Sequence, residues 1–213
     1  QALTELESGD GVDVYELPGV TVMMPAGYLP ETGLIFYPGA RVDYHSYAPL
    51  MRTISRAGYF TAVVKMPLNM AIFSPDRAGD IIYSYPQVKT WVLAGHSLGG
   101  AMAAQFAGQN PDKVDGLAFW AAYPVSSNDL SGSNLRVISI YGSNDGLATG
   151  ADIDASRPLL PEHTVWVEII GGNHAQFGAY GEQGGDGAAE ISLAEQHSQI
   201  TSAMLEWLSG FSN

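Results

Sequence analysis

The sequence predicts an α/β fold, with a mostly parallel, doubly wound sheet of about seven or eight strands flanked by helices, and residues 1–213 forming a single domain. Short apolar runs alternate with helical segments along most of the chain, which is the pattern of β-α-β units. No internal repeat, long linker or break in composition divides the chain. Its 213 residues are also a usual length for one domain.

The predicted strands are apolar runs bounded by glycine, proline or polar residues. The first two, 13–17 and 20–24, are separated by Pro18-Gly19 and are predicted to form a hairpin. The remaining predicted strands are 34–37, 60–64, 90–94, 116–121, 136–141 and 164–170. Four helices are predicted between and after them, at 47–57, 75–85, 98–109 and 191–208. Ser74 is the expected N-cap of the second helix, with Pro75 at its first position.

Composition excludes several classes of function. The chain has 22 Asp and Glu against 9 Lys and Arg, a formal net charge of −13, and no basic cluster. Nucleic-acid binding, which requires clustered Lys and Arg, is therefore not expected. The sequence contains no cysteine, which excludes disulfides, thiolate zinc sites and cysteine nucleophiles. No apolar run reaches the roughly 18 residues that a membrane-spanning helix needs.

The location of the protein is predicted from its first residue and its composition. The chain begins at Gln1 rather than Met, which indicates that a signal peptide or propeptide has been removed. Few lysines, no cysteine and marked acidity also favour an extracytoplasmic or secreted protein. A cytoplasmic location stays open.

The strongest motif is Gly95-His96-Ser97-Leu98-Gly99, which fits the Gly-x-Ser-x-Gly pattern. It lies between an apolar strand ending at Ala94 and an alanine-rich helix starting near Leu98, which is the setting of a nucleophile elbow. Small residues are needed two positions either side of the serine, because strand and helix approach closely there. Ser97 is therefore the predicted nucleophile. The alternative is a glycine-rich turn with an incidental serine.

A serine nucleophile needs a base and a residue that orients the base. Asp145 follows the predicted strand 136–141, and His174 follows the predicted strand 164–170. Catalytic groups in open α/β sheets gather at the carboxyl ends of the strands. The order Ser, Asp, His is also that of α/β-hydrolases. Two later acids, Asp152 and Asp154, are alternatives to Asp145, although they do not follow a strand end.

With these residues in place, the chain is similar to the α/β-hydrolases from about Leu34 to Trp207. More narrowly, it resembles the small, lid-less serine esterase group related to dienelactone hydrolases. The segments that carry the resemblance are Tyr37-Pro38-Gly39-Ala40, Gly95-His96-Ser97-Leu98-Gly99, Gly142-Ser143-Asn144-Asp145 and Gly172-Asn173-His174. The resemblance implies the α/β-hydrolase fold, an acyl-enzyme mechanism and a Ser97–His174–Asp145 catalytic triad.

The sequence departs from that group at two places. Many members have His-Gly after the third strand, where this chain has Pro38-Gly39. Dienelactone hydrolases themselves use a cysteine nucleophile, so Ser97 favours ester hydrolysis over lactone opening. The oxyanion hole is expected to consist of backbone N–H groups, one from Leu98 after the nucleophile. The resemblance assigns the other to Ala40, with Arg41 as the second choice.

The remaining histidines and aromatic residues have less specific interpretations. His96 is expected to be a structural hydrogen-bonding residue, and His163 and His197 ordinary surface or helix residues. His45 lies either at the mouth of the pocket or on the surface. The aromatic residues expected to border an acyl pocket are Tyr44, Tyr47, Trp120 and Tyr123. Trp120, at the end of a predicted strand, is equally typical of the core. The glycine-rich loop, residues 178–187, is either a pocket wall that orients His174 or a solvated connection.

The predicted function is hydrolysis of carboxyl esters of a small molecule, without a metal or cofactor. Only 13 residues, from Tyr123 to Leu135, follow the strand after which lipases of this fold carry a lid. We therefore expect an open site and short or accessible acyl groups. The same triad also suits amide or thioester hydrolysis. In a different class, the fold serves as the scaffold of a non-catalytic binding protein.

Overall fold

In a computed structural model, which describes residues 4–211, a single eight-stranded sheet forms the centre of the protein. Its strands are β1 (Val12–Leu17), β2 (Val20–Pro25), β3 (Thr32–Tyr37), β4 (Phe60–Val64), β5 (Thr90–His96), β6 (Gly116–Trp120), β7 (Arg136–Gly142) and β8 (Val165–Ile169). Their order across the sheet is β1-β2-β4-β3-β5-β6-β7-β8. β1, β2 and β4 pair antiparallel, and all pairs from β4 to β8 are parallel. The predicted fold class is confirmed.

Within residues 4–211, five α-helices accompany the sheet. They are α1 (Ala48–Arg56), α2 (Arg77–Ser84), α3 (Leu98–Gln109), α4 (Gly150–Ser156) and α5 (Leu193–Ser209). No helix in the described part of the chain is both long and apolar enough to cross a membrane.

The core lies in two layers, one on each face of the sheet. Successive side chains of a strand point to opposite faces, so Ile35 belongs to one apolar cluster and Leu34 to the other. The first cluster includes Phe106 of α3, and the second includes Met204 of α5. Strands buried on both faces are continuous apolar runs, which explains why β3 and β4 have no polar alternation.

The second predicted helix begins later than expected. It starts at Arg77, and Ser74 does not cap it. The buried hydroxyl of Tyr37 takes over that role, because it accepts a hydrogen bond from the Ala78 N–H (2.8 Å) and donates one to the Pro75 carbonyl (2.6 Å). An N–H group in the first turn of α2, which has no acceptor within the helix, thus donates to a side chain of β3, a strand far away in the sequence.

Two other helix boundaries also differ from the predictions. Residues Tyr44–Tyr47 form a separate 3-10 turn before α1. The last helix begins at Leu193, because Ser192 caps it by accepting a hydrogen bond from the Glu195 N–H.

Candidate active site

Ser97 occupies a strained turn between β5 and α3. Its backbone has φ 52° and ψ −124°, in a region that residues other than glycine rarely adopt. A Cβ atom at Gly95 would lie 2.5 Å from the Gly100 nitrogen, and one at Gly99 would collide with the carbonyls of Tyr37 and Pro38. Strand, helix and the loop after β3 therefore meet at a distance that only glycine permits. This is the geometry of a nucleophile elbow.

Asp145 and His174 form a buried pair at the same edge of the sheet. Asp145 follows β7, His174 follows β8, and Oδ2 of Asp145 lies 2.9 Å from Nδ1 of His174. The other carboxylate oxygen accepts hydrogen bonds from the N–H groups of Leu147 (2.8 Å) and Ala148 (2.7 Å). When Nδ1 of His174 carries the proton and donates it in a hydrogen bond to the Asp145 carboxylate, Nε2 of the imidazole is left as a proton acceptor.

The two alternative acids have other partners. Asp152 forms a capping box at the start of α4, where its carboxylate accepts hydrogen bonds from the Thr149 backbone (3.0 Å) and hydroxyl (2.6 Å). Asp154 forms an ion pair with Arg157 at 2.8 Å. Of the three acids, Asp145 is the one that contacts His174.

Ser97 and His174 line one pocket of about 280 Å³. Its other lining residues are mostly small and apolar: Leu98, Ala101, Ala121, Ala122, Tyr123, Val125, Leu147 and Ala148. Nε2 of His174 is buried and forms no hydrogen bond to any described residue. The connection between β6 and β7 contains neither a helix nor a strand, and no large lid formed by the described residues covers the pocket.

The expected oxyanion donors lie next to this turn. Leu98 is the first residue of α3, so its N–H has no acceptor within the helix. Among residues 4–211, neither this N–H nor that of Ala40 hydrogen-bonds to another residue. The N–H of Arg41 donates to the Asn69 carbonyl at 2.8 Å, so the second-choice donor is already used. The loop that carries Ala40 is held by the Gly39 N–H, which donates to the Tyr47 hydroxyl at 3.0 Å.

Tyr47 and His96 form a buried polar contact beside the predicted triad. The Tyr47 hydroxyl lies 2.8 Å from Nδ1 of His96, and the rings of His96 and His174 have centroids 4.5 Å apart. Burial, and after it the neighbouring His174, lowers the pKa of His96 well below its ordinary value. His96 therefore stays neutral, which leaves its Nδ1 able to accept a hydrogen bond from the Tyr47 hydroxyl. No local pattern indicates this contact, which joins residues 49 positions apart.

Most of the other candidate residues lie away from the pocket. Nε2 of His45 is 3.4 Å from Glu16, and Nε2 of His163 lies 3.1 Å from the Leu135 carbonyl. Trp120 is fully buried in the core, whereas Tyr123 lines the pocket. Within the described residues, no group of three or more His, Asp or Glu side chains is arranged to hold a metal ion.

His197 on α5 is expected to make the protein sensitive to acid. Burial lowers the pKa of His197 to about 4. Between an unfolded-state pKa near 6.5 and this value, the unfolded chain binds a proton that the folded protein does not. Stability due to this group is therefore present above pH 6.5 and decreases as the pH falls, by roughly 3 kcal/mol at pH 4.

Urea denaturation of wild type and His197→Gln from pH 7.5 to 4 measures this effect. We expect the variant to lose less stability across that range. The difference between the two proteins at pH 7.5, where both side chains are neutral, gives the packing cost of the substitution alone. Parallel curves for the two proteins would contradict the prediction.

Comparison with known proteins agrees with this architecture. A sequence model described as the alpha/beta hydrolase family matches residues 33–198. No match was found among curated protein sequences. A dienelactone hydrolase from Anabaena variabilis is a similar solved structure, with 16% identity, a TM-score of 0.68, and coverage of 94% of this chain and 98% of that chain.

Two further solved structures are similar to this chain to about the same degree. A monoacylglycerol lipase from Paleococcus ferrophilus has 15% identity and a TM-score of 0.68, and the match covers 94% of this chain and 100% of that one. A carboxylesterase from Bacillus subtilis has 11% identity and a TM-score of 0.67, with 98% of this chain and 95% of that one covered. At these identities the likeness shows the fold alone.

Proposed function

Because the chain belongs to the alpha/beta hydrolase family, we propose that it is a serine hydrolase that cleaves carboxyl esters. The observation that carries the proposal is the buried Asp145–His174 pair, whose imidazole lines the same pocket as a serine in a strained turn. A serine hydroxyl is a weak nucleophile, and an oriented neutral imidazole is the base that activates it. Ser97, His174 and Asp145 are the proposed triad.

The proposed reaction has two steps. In the first, Nε2 of His174 takes the Ser97 hydroxyl proton while Oγ attacks the ester carbonyl. The resulting oxyanion accepts hydrogen bonds from the N–H groups of Leu98 and Ala40. As the bond from the carbonyl carbon to the alkoxide oxygen breaks, the imidazolium protonates that oxygen; the alcohol leaves, and the acyl group remains on Oγ of Ser97. In the second step, water gives a proton to His174 and attacks the acyl-serine, which releases the acid and restores the hydroxyl.

The small pocket favours short or accessible acyl groups. A volume of about 280 Å³ lined by Ala101, Ala121 and Ala122 has little room for a long chain. In a series of p-nitrophenyl esters, we expect kcat/KM for the acetate or butyrate to exceed that for the palmitate by about tenfold or more. The leaving group is the same throughout, so the acyl chain alone changes. A preference that rises steadily with chain length would contradict this prediction.

Labelling with a fluorophosphonate tests the proposal itself. Such a probe phosphonylates a serine only when the serine is activated, so an esterase is expected to form a stoichiometric adduct. Peptide mass spectrometry locates that adduct, which we expect on Ser97. Heat-denatured protein is the control for unspecific labelling. A protein that binds esters without cleaving them would remain unlabelled, and that result would refute the proposed function.

A further inference from the structure

Asp186 in the glycine-rich loop contacts both chain segments that carry the proposed acid and base. Its Oδ1 accepts hydrogen bonds from the N–H groups of His174 (3.2 Å) and Gly146 (3.1 Å). Its Oδ2 accepts one from the Ala175 N–H (2.8 Å). One carboxylate thus joins the main chain of His174 to the residue directly after Asp145. These segments follow different strands, β8 and β7.

The loop around Asp186 packs closely on the same two segments. A Cβ atom at Gly187 would collide with the Asn144 carbonyl, and one at Gly146 would lie 2.6 Å from the Gly185 carbonyl. The Asn173 side-chain amide donates to the Gly187 carbonyl at 2.8 Å, and that of Asn144 donates to the Ala188 carbonyl at 3.0 Å. The loop therefore has a defined conformation at Asp186 and contacts both segments at several points.

We propose that Asp186 is a positioning residue for the triad: it sets the spacing of the Asp145 and His174 segments, and its charge stabilises the imidazolium formed during the reaction. This proposal rests on the proposed function. Charge-assisted hydrogen bonds to backbone N–H groups are stronger than neutral ones. Losing them allows both segments to shift, and misplacement of a catalytic group by about 1 Å lowers rates by as much as 10²-fold.

The charge of Asp186 also acts on Tyr180, a neighbour of His96. It contributes, after burial, to raising the pKa of Tyr180 well above its ordinary value, and the Tyr180 ring lies 6.1 Å from that of His96. The titratable groups around His174 and its segment are Asp145 after β7, His96 on β5, Tyr47 behind His96, Tyr123 in the pocket, Tyr180 and Asp186 in the loop, and His197 on α5. Of these, Asp145 and Asp186 are the two carboxylates.

The test compares Asp186→Asn with Glu182→Gln. Glu182 belongs to the same loop and lines the same cavity of about 540 Å³, so both substitutions remove one negative charge from one region. Among the described residues, however, Glu182 forms no hydrogen bond to the triad segments. We expect Asp186→Asn to lower kcat about 10–100-fold while KM changes little. We also expect the acid limb of kcat/KM to move to lower pH by a few tenths of a unit, because the imidazolium loses a nearby anion.

Asp186→Ala is expected to lower kcat further, because asparagine keeps Oδ1 as an acceptor and alanine keeps neither oxygen. Thermal denaturation of every variant separates loss of folding from loss of positioning, and a purely structural role would lower the melting temperature without moving the acid limb. The inference is overturned if Asp186→Asn matches Glu182→Gln in both kcat and acid limb. Failure of the wild type to react with fluorophosphonate would instead refute the proposed function.

Discussion

Replacing Ser97 by alanine is expected to lower kcat for ester hydrolysis by about 10⁵–10⁶-fold. The substitution removes the atom that the proposed mechanism acylates, and the remaining pair, His174 and Asp145, would have no group to activate except water. Alanine keeps the Cβ atom, so the turn at φ 52° is unchanged and the melting temperature should stay close to that of the wild type. Initial rates with p-nitrophenyl acetate, with the uncatalysed rate subtracted, measure the loss.

Ser97→Gly is the matched control for backbone strain. Glycine adopts positive φ without a steric cost, so this variant should be inactive yet more stable than the wild type by about 1 kcal/mol. The two variants together separate the chemistry of the hydroxyl from the conformation of the turn. If Ser97→Ala retained activity within tenfold of the wild type, another residue would have to be the nucleophile.

Replacing Asp145 by asparagine is expected to lower kcat by about 10³–10⁴-fold. Asparagine keeps an oxygen that can accept the N–H groups of Leu147 and Ala148, so the loop should remain folded. Its amide group, however, can donate to Nδ1 of His174 and so favour the tautomer with the proton on Nε2. That imidazole cannot take a proton from Ser97. Steady-state kinetics near pH 7.5 measure the effect, with fluorophosphonate labelling rate as a second readout.

Asp152→Asn is the control for this substitution. Asp152 carries the same charge and belongs to the capping box of α4. Its replacement should lower stability by about 1 kcal/mol or less and leave kcat within about twofold. Equal losses of activity in the two variants would indicate that the net charge of this region, rather than the contact with His174, is what matters.

The parts of the fold that the sequence predicted well depend on local patterns. β4 and α3 have the predicted boundaries, because a run of apolar residues and an alanine-rich segment both end at clear breaks. The contact between Asp145 and His174 was also predictable. Each follows a strand, and parallel strands bring their carboxyl ends to a common edge.

The other contacts join residues that are distant in the chain. The Tyr37 hydroxyl accepts a hydrogen bond from the first turn of α2, 41 positions away. No local pattern distinguishes Tyr37 from an ordinary core tyrosine. Asp186 lies in a loop whose glycines and acids are equally typical of a solvated connection. Its role depends on backbone N–H groups, which every residue has, and side-chain patterns therefore contain no sign of it.

The strands that lead to Ser97 and to His174 occupy different positions in the sheet. β5, which leads to Ser97, is paired on both sides, whereas β8, which leads to His174, is the last strand of the sheet and has Val165 44% exposed. The proposed nucleophile is thus attached to an interior strand of the sheet and the proposed base to an edge strand. Insertions or substitutions beyond β8 can therefore alter the placement of the proposed base while the turn at Ser97 stays intact. Within this architecture, the segment after the edge strand β8 is where changes in the sequence alter the site with the least disturbance of the sheet.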